Sequence, residues 1–263
     1  MPEKIPCSVQ VLTLNSGKTL EKCLESVKDF AEIIILDGNS TDNTIEIAKR
    51  YTDKIYPQAD TNEKNVRITD FGAVRNRGLG FVSYDWFLFI DSDEYVSGEA
   101  VQEIRDIVAR DRENKYFVYN MPRVYVLDGV VLEHMRPTYQ ARFFYLPAVE
   151  GFIKKVHERV IPKDGYEIGA LKHPEYVPLE DIAVLRKKWS RYIDLQLQDM
   201  QVTPKVLFLK TKANLRKFLA YCVKYAISLA RGSGAPFRYE YHNALYHLKI
   251  IWRVWKLFIM QKL

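Results

Sequence analysis

Two runs of consecutive apolar residues, each ending on an aspartate, constrain this chain more than any other feature. Ile33-Ile34-Ile35-Leu36 runs into Asp37-Gly38, and Trp86-Phe87-Leu88-Phe89-Ile90 runs into Asp91-Ser92-Asp93-Glu94. Strands that are apolar on both faces belong to parallel sheets covered by helices on both sides. A third apolar stretch, Ile5 to Leu14, stops at the turn cluster Asn15-Ser16-Gly17. Helical spacing follows each strand: Leu20, Cys23, Leu24 and Val27 behind Thr19, then Ile45, Ile47 and Ala48 in a helix opened by Ser40 or Thr41, then a helix near Thr69 to Phe81. This alternation predicts a doubly wound α/β sheet, whose ligands bind at the carboxyl ends of the strands. Asp37 and Asp91 stand at such ends.

From Tyr116 to His173 the pattern changes to short β-like runs (116–121, 124–126, 141–146 and 156–161) broken by Asp128-Gly129 and Asp164-Gly165. Beyond Pro178 the spacing is helical over 179–200, 205–230 and 239–262, with Arg231 to Pro236 expected as a hinge. The charge changes at the same place. Residues 1–181 carry 23 Lys+Arg against 30 Asp+Glu, whereas residues 182–263 carry 16 against 3. A basic, aromatic last third suits a polyanion or an anionic membrane face as neighbour. With 12 Gly, 11 Pro and 48% hydrophobic residues, collagen-like and disordered classes are excluded. Cys7, Cys23 and Cys222 are odd in number and widely spaced, which indicates neither a disulfide framework nor a zinc knuckle and points to a reducing compartment.

Asp91-Ser92-Asp93 is the sharpest chemical signal. In an extended segment residues i and i+2 project to one face, so both carboxylates can converge on a hard divalent cation at the ligand crevice. The bland alternative is a solvated acidic turn ahead of a helix capped near Ser97.

The motif keeps specific company. Thr13-Leu14-Asn15, Asp37-Gly38-Asn39-Ser40-Thr41-Asp42, Ala73-Val74-Arg75-Asn76 and Asp91-Ser92-Asp93-Glu94 occur in that order. Together they resemble the nucleotide-binding half of the family 2 glycosyltransferases of the GT-A fold, a Rossmann-like, mostly parallel sheet sandwiched by helices. Val156-His157-Glu158, Leu171-Lys172-His173 and Lys188 to Tyr192 make the lipopolysaccharide core β-1,4-glucosyltransferase type the subgroup most resembled. The chain departs from that subgroup at Arg231 to Pro236, where relatives often carry an Asp-Gly pair in an aromatic, Gly-rich segment.

The resemblance implies a GT-A catalytic domain over 1–177, with a nucleotide-binding half (1–94) and an acceptor half (95–177), followed by a basic helical extension over 178–263. It implies a metal-dependent (Mg or Mn), inverting transfer from a nucleotide-diphosphate sugar, a UDP-sugar in first place, to a cell-envelope glycan or glycolipid. Asp37 would pair with the uracil, Thr13, Asn15 and Ser40 would line the donor site, and Arg75 would sit near the nucleotide or diphosphate. Asp91 would lie near the ribose and metal, Asp93 would ligate the metal and His173 would be its further ligand. Glu158 is the expected base, with Glu150 and Asp164 as fallbacks; His157 either orients the acceptor or is structural.

The last helix interleaves Lys249, Arg253, Lys256 and Lys262 with Trp252, Trp255 and Phe258. That pattern suits a helix lying in an anionic membrane interface, or ordinary packing. The sequence shows no signal-peptide pattern and no run long enough to span, so the expected location is cytoplasmic, peripheral on the inner membrane face. The alternatives are a non-catalytic glycan- or membrane-binding scaffold of the same fold, or a sugar nucleotidyltransferase, for which a Gly-rich triphosphate loop is missing. Nucleic-acid binding is not expected, because the first 181 residues are acidic and no recognisable module is present.

Overall fold

The apolar runs pair side by side. In the computed structural model, which describes residues 3–127, 129–132, 137–179, 182–230 and 234–262, strands and helices alternate as the pattern requires. They are β1 (Ile5–Thr13), α1 (Leu20–Ser26), β2 (Phe30–Asp37), α2 (Thr44–Ala48), β3 (Ile55–Pro57), α3 (Phe71–Leu79) and β4 (Trp86–Asp91). The strands lie in the order β3-β2-β1-β4 and all run parallel. Thr13 is in register with Asp37, and Leu12 with Asp91, so both strand-end aspartates emerge at the same edge of the sheet. Val9, Val11, Ile35, Leu88 and Ile90 are buried beneath it, packed on Leu20, Leu24 and Ile104.

The chain continues through β5 (Tyr95–Val96), α4 (Gly98–Arg110), β6 (Val118–Leu127), β7 (Val130–Val131), β8 (Thr138–Tyr145), β9 (Val149–Ile153), β10 (Arg159–Pro162), β11 (Ile168–Ala170) and β12 (Glu175–Pro178). These extend the sheet as β4-β8-β6-β12-β5. Here β8 runs antiparallel to both β4 and β6, and β12 runs parallel to β6. The parallel half therefore meets a mixed half, while β9 and β10 form a separate hairpin. Ser97 caps α4, its hydroxyl accepting from the Ala100 amide at 3.1 Å.

Several boundaries differ from the sequence expectation. The expected helix from Ser40 or Thr41 starts only at Thr44, because the Ser40 amide and hydroxyl are both spent on Asp37. The runs 116–121 and 124–126 are one strand, β6, continuous through Pro122. The expected strand over 156–161 begins pairing only at Arg159, because Lys154 (φ 77°) and His157 (φ 54°) take left-handed conformations that close a loop. Asp128 lies outside the described residues.

Contacts divide the chain into two units, Met1–Pro178 and Leu179–Leu263. The second holds α5 (Ile182–Leu197), α6 (Pro204–Ala230) and α7 (Gly234–Met260) around Ile193, Val202, Leu207, Ile250 and Val254. The expected hinge is in part helix: Gly234 to Pro236 open α7, with Pro236 in the first turn where its missing amide is tolerated. Residues 231–233 lie outside the described residues. No described helix is long and apolar enough to cross a membrane.

Candidate active site

The Asp37 carboxylate organises the end of β2. It accepts hydrogen bonds from Thr13 Oγ1 at 2.7 Å, the Ser40 amide at 2.7 Å and Ser40 Oγ at 2.6 Å, and the residue is only 5% exposed. Three donors on a group with about four acceptor positions leave room for about one more. Asn15 ties the neighbouring loops together: its amide donates to Ser40 Oγ, its Oδ1 accepts from the Thr41 amide, and its Nδ2 donates to Asn65 Oδ1 at 2.8 Å. Gly38 lets the backbone at 65–66 come close, since a Cβ there would lie 2.5 Å from the Val66 carbonyl oxygen. The result is a cleft of about 410 Å³ with apolar walls at Ile45, Ile55 and Tyr56 and a polar rim that includes Asp37, Asn39, Asn62 and Lys64.

The second half of the site is built around buried Arg75 on α3. Its guanidinium donates to Asp91 Oδ1 at 2.5 Å, to Glu158 Oε1 at 3.4 Å and to Gln10 Oε1 at 3.3 Å, and lies 4.5 Å from the Phe89 ring. Arg142 on β8, also buried, donates to Asp91 Oδ2 at 3.1 Å, Glu94 Oε2 at 2.8 Å and Glu175 Oε1 at 3.1 Å. Arg123 on β6 pairs with Glu94 and Glu175. Burial disfavours the Asp91 carboxylate, but Arg142, Arg75 and Arg123 outweigh it and hold the group well below the usual carboxylate range. Burial and the facing carboxylates of Glu94 and Asp91 push Glu175 up to about 7 despite the two arginines.

The Asp91-Ser92-Asp93 segment differs from its expected extended form. Asp91 ends β4, and the Glu94 amide donates back to the Asp91 carbonyl at 3.0 Å, so residues 91–94 turn. Both Asp91 oxygens face guanidinium groups, while Asp93 sits half-buried on the turn. His173 stands elsewhere. The antiparallel register of β12 on β5 matches Glu175 with Val96, which carries the preceding residues toward α4, and there the His173 amide donates to Glu103. Among the described residues no three His, Cys, Asp or Glu side chains converge as a metal cage. The trio Asp91, Asp93 and His173 is therefore not assembled. The carboxylates of the turn still fit Mg²⁺ or Mn²⁺, since such cations are held by one or two carboxylates and take their remaining oxygens from substrate phosphates and water.

Glu158 lies on the loop between β9 and β10, and α3 fixes that loop. The amides of Phe71 and Gly72 donate to the carbonyls of Lys155 and Lys154, and a Cβ on Gly72 would lie 2.8 Å from the latter. Asn76 exchanges two 2.8 Å bonds with the Phe152 backbone. Glu158 is thereby brought into the Arg75 cluster, His157 beside it is exposed, and Glu150 and Asp164 are exposed on β9 and on the turn after β10. The ion pairs of the cluster run from Arg75 and Arg142 to Asp91 and Glu158 rather than to these two fallbacks.

The family model for glycosyl transferase family 2 matches residues 8–158, which span the cleft, the Asp91 turn and the Glu158 loop. The chain belongs to glycosyl transferase family 2. This family 2 chain is 32% identical over 151 residues to the SPbeta prophage-derived glycosyltransferase SunS of Bacillus subtilis (strain 168), covering 56% of this chain and 33% of that one. It is 26% identical over 197 residues to the lipopolysaccharide core biosynthesis glycosyltransferase LpsC of Rhizobium meliloti (strain 1021), covering 72% and 71%. Among solved structures it is similar to S. aureus TarS 1–349 in complex with UDP-GlcNAc, with a TM-score of 0.47 and 17% identity, covering 95% of this chain and 83% of that one. The chain spans about a third of the length of SunS.

Arg142, Arg123, Glu94 and Glu175 were not among the sequence candidates, and neither were Tyr56 and Lys64. Only Glu94 sits in a recognisable motif; the others come from strands and loops whose local sequence looks like ordinary sheet or surface.

Proposed function

We propose that this family 2 chain transfers a glycosyl group from a UDP-sugar to a hydroxyl of a cell-envelope glycan or glycolipid, with inversion at the anomeric carbon. One observation carries the reading: buried Arg75 joins Asp91, at the end of β4, to Glu158 on the β9–β10 loop. A single side chain thus links the diphosphate end of the site to a carboxylate suited to accept a proton. The name of LpsC supports a cell-envelope acceptor.

In this reading the flat base enters the cleft between Ile55, Tyr56 and Asn39, and its ring N–H donates to the acceptor position left on Asp37. Asp93, with Asp91 behind it, would hold the divalent cation, which when bound offsets charge developing on the leaving diphosphate. Arg75 and Arg142 keep Asp91 fixed and charged. Glu158 takes the proton of the acceptor hydroxyl as it attacks the anomeric carbon from the face opposite the diphosphate. The bond to Arg75 occupies one Glu158 oxygen and aims the carboxylate.

Calorimetric titration of UDP and GDP in Mn²⁺, repeated with EDTA and with Asp93→Ala, tests the donor site. UDP should bind and GDP should not, and removal of metal or of Asp93 should weaken UDP by about tenfold or more, the loss of one charge-assisted contact. Glu158→Gln should bind UDP unchanged, because its amide oxygen still accepts from Arg75. Its release of UDP from UDP-sugars should drop about 10²- to 10⁴-fold, the usual worth of a general base. Full turnover in this variant removes Glu158 as base, and binding of neither nucleotide leaves a scaffold of the same fold.

A further inference from the structure

We propose that α6 and α7 form a docking face for an anionic lipid bilayer, on which the helices lie in the plane of the interface. This goes beyond the transfer reaction and does not depend on it.

The inner faces of the two helices are already satisfied. Leu207, Ile250 and Val254 are buried in their shared core, and His247 pairs with Asn214 at 2.9 Å. The outer faces are where soluble helices place polar residues, and here each carries a stripe of large apolar side chains among its cations. On α7, Tyr241, Leu245, Leu248, Trp252, Trp255 and Ile259 are all exposed, Trp252 by 58%. Their spacing alternates between four and three residues, which puts them on one stripe. On α6, Phe208, Leu215, Leu219 and Val223 are exposed, Phe208 by 64% and Val223 by 60%, and their spacing of seven, four and four residues again defines one face. A groove of about 660 Å³ joins the two stripes, with Phe208, Leu215 and Leu219 on one side, Trp255 on the other, and Lys212 and Arg216 in its wall. The stripes run from Tyr241 to Ile259 on α7 and from Phe208 to Val223 on α6, about 27 Å and about 22 Å at 1.5 Å per residue. An exposed apolar area of that extent marks an interaction site.

Charge selects the occupant. Residues 182–263 carry 16 Lys+Arg against 3 Asp+Glu. Lys249 and Lys256 border the α7 stripe, one residue after Leu248 and four after Trp252. Lys256 Nζ lies 5.4 Å from the Trp252 ring, and Lys212 Nζ lies 5.9 Å from the Phe208 ring. Apolar stems and rings with cations at their margin suit the level of lipid headgroups, where the rings enter the acyl boundary and the ammonium groups meet phosphates. An apolar protein partner would match the stripe and leave the surrounding excess of cations unanswered.

The test is flotation of the full chain with vesicles of phosphatidylcholine alone and of phosphatidylcholine with phosphatidylglycerol in equal parts. Two double variants accompany it, Leu219→Glu with Trp252→Glu, and Lys212→Glu with Arg216→Glu. The protein should float with the anionic vesicles about tenfold better than with the neutral ones, high salt should release it, and each double variant should lose about tenfold. The charge variant alters exposed residues only and keeps the test open if the first variant does not fold. Equal flotation with both vesicle types, or unchanged flotation of the folded variants, overturns the proposal. So does a wild-type dimer that the first variant converts to monomer without any change in flotation, because a second copy then covers the face. UDP affinity measured on the same variants should stay constant, which separates failure here from failure of the transferase reading.

Discussion

Glu175 is the residue on which the ion cluster balances. Arg75, Arg123 and Arg142 face Asp91, Glu94, Glu158 and Glu175, so carboxylates outnumber guanidiniums by one. Glu175 Oε2 is buried with no hydrogen-bond partner among the described residues, a costly position for a bare carboxylate oxygen and a cheaper one for a protonated carboxyl. Its value of about 7 follows from burial and from facing Glu94 and Asp91. A carboxyl raised above its unfolded value of 4.5 binds more protons in the native state between the two values, so its contribution to stability is complete below about 4.5 and is lost as pH rises through about 7. Urea unfolding of the wild type across pH 5 to 8 should therefore show stability falling by up to a few kcal/mol from this group. Glu175→Gln keeps an oxygen for Arg123 and Arg142 and cannot titrate, so its profile should lack that fall. Parallel profiles would place the proton elsewhere. Sequence reading found Asp91 and Arg75 because each lies in a contiguous motif. It missed Arg142 and Glu175 because their meaning comes from β8 and β12 pairing into the same sheet, and an arginine in Gln140-Ala141-Arg142-Phe143 looks like a solvent-facing strand residue.

At the scale of elements, α3 sets the geometry of the second half of the site. Asp70 caps it by accepting from the Ala73 amide at 2.9 Å, its first amides hold the Lys154–Lys155 carbonyls, and Asn76 pairs with both backbone groups of Phe152 as a neighbouring strand would. Asn76→Leu removes two bonds at once and leaves a partly buried amide and carbonyl unpaired. A cost of about 2 to 4 kcal/mol is expected, at about 1 to 2 kcal/mol per group, read as a lower urea midpoint with an unchanged slope. The Glu158 loop loses one of its ties in the same variant, so UDP release should fall more than UDP affinity does. An unchanged midpoint would show that the loop is held by α3's N-terminus alone. The helix itself was legible, because Thr69 to Phe81 has helical spacing between turn signals. The loop it clamps was not: Val156 to Ile161 has a strand-like composition, whereas Lys154 and His157 take left-handed conformations and the Lys154 and Lys155 carbonyls are held by the amides of a helix some 80 residues earlier.

On the scale of the whole molecule, the two units keep separate cores. Buried clusters of the first run from Ile5 to Leu171, and that of the second from Ile193 to Val254. The first unit also closes its ion cluster internally, since Glu175 is supplied by its last strand, β12. A chain ended at Pro178 should therefore fold cooperatively and bind UDP within about threefold of the full protein, a difference of well under 1 kcal/mol. A chain ended at Lys172 removes β12 and leaves Arg123 and Arg142 facing Glu94 and Asp91 alone, and breaking such a buried pair costs about 3 to 5 kcal/mol. It should be unfolded or aggregated. Charge gives the two forms a further readout: residues 1–178 carry 23 Lys+Arg against 28 Asp+Glu, so the shorter form reverses the sign of the full chain's +6. It should pass a cation exchanger that retains the full protein, and it should not float with anionic vesicles. Retention of vesicle binding by residues 1–178 would move the docking face off α6 and α7, whereas loss of UDP binding would show that the donor site needs the helical unit.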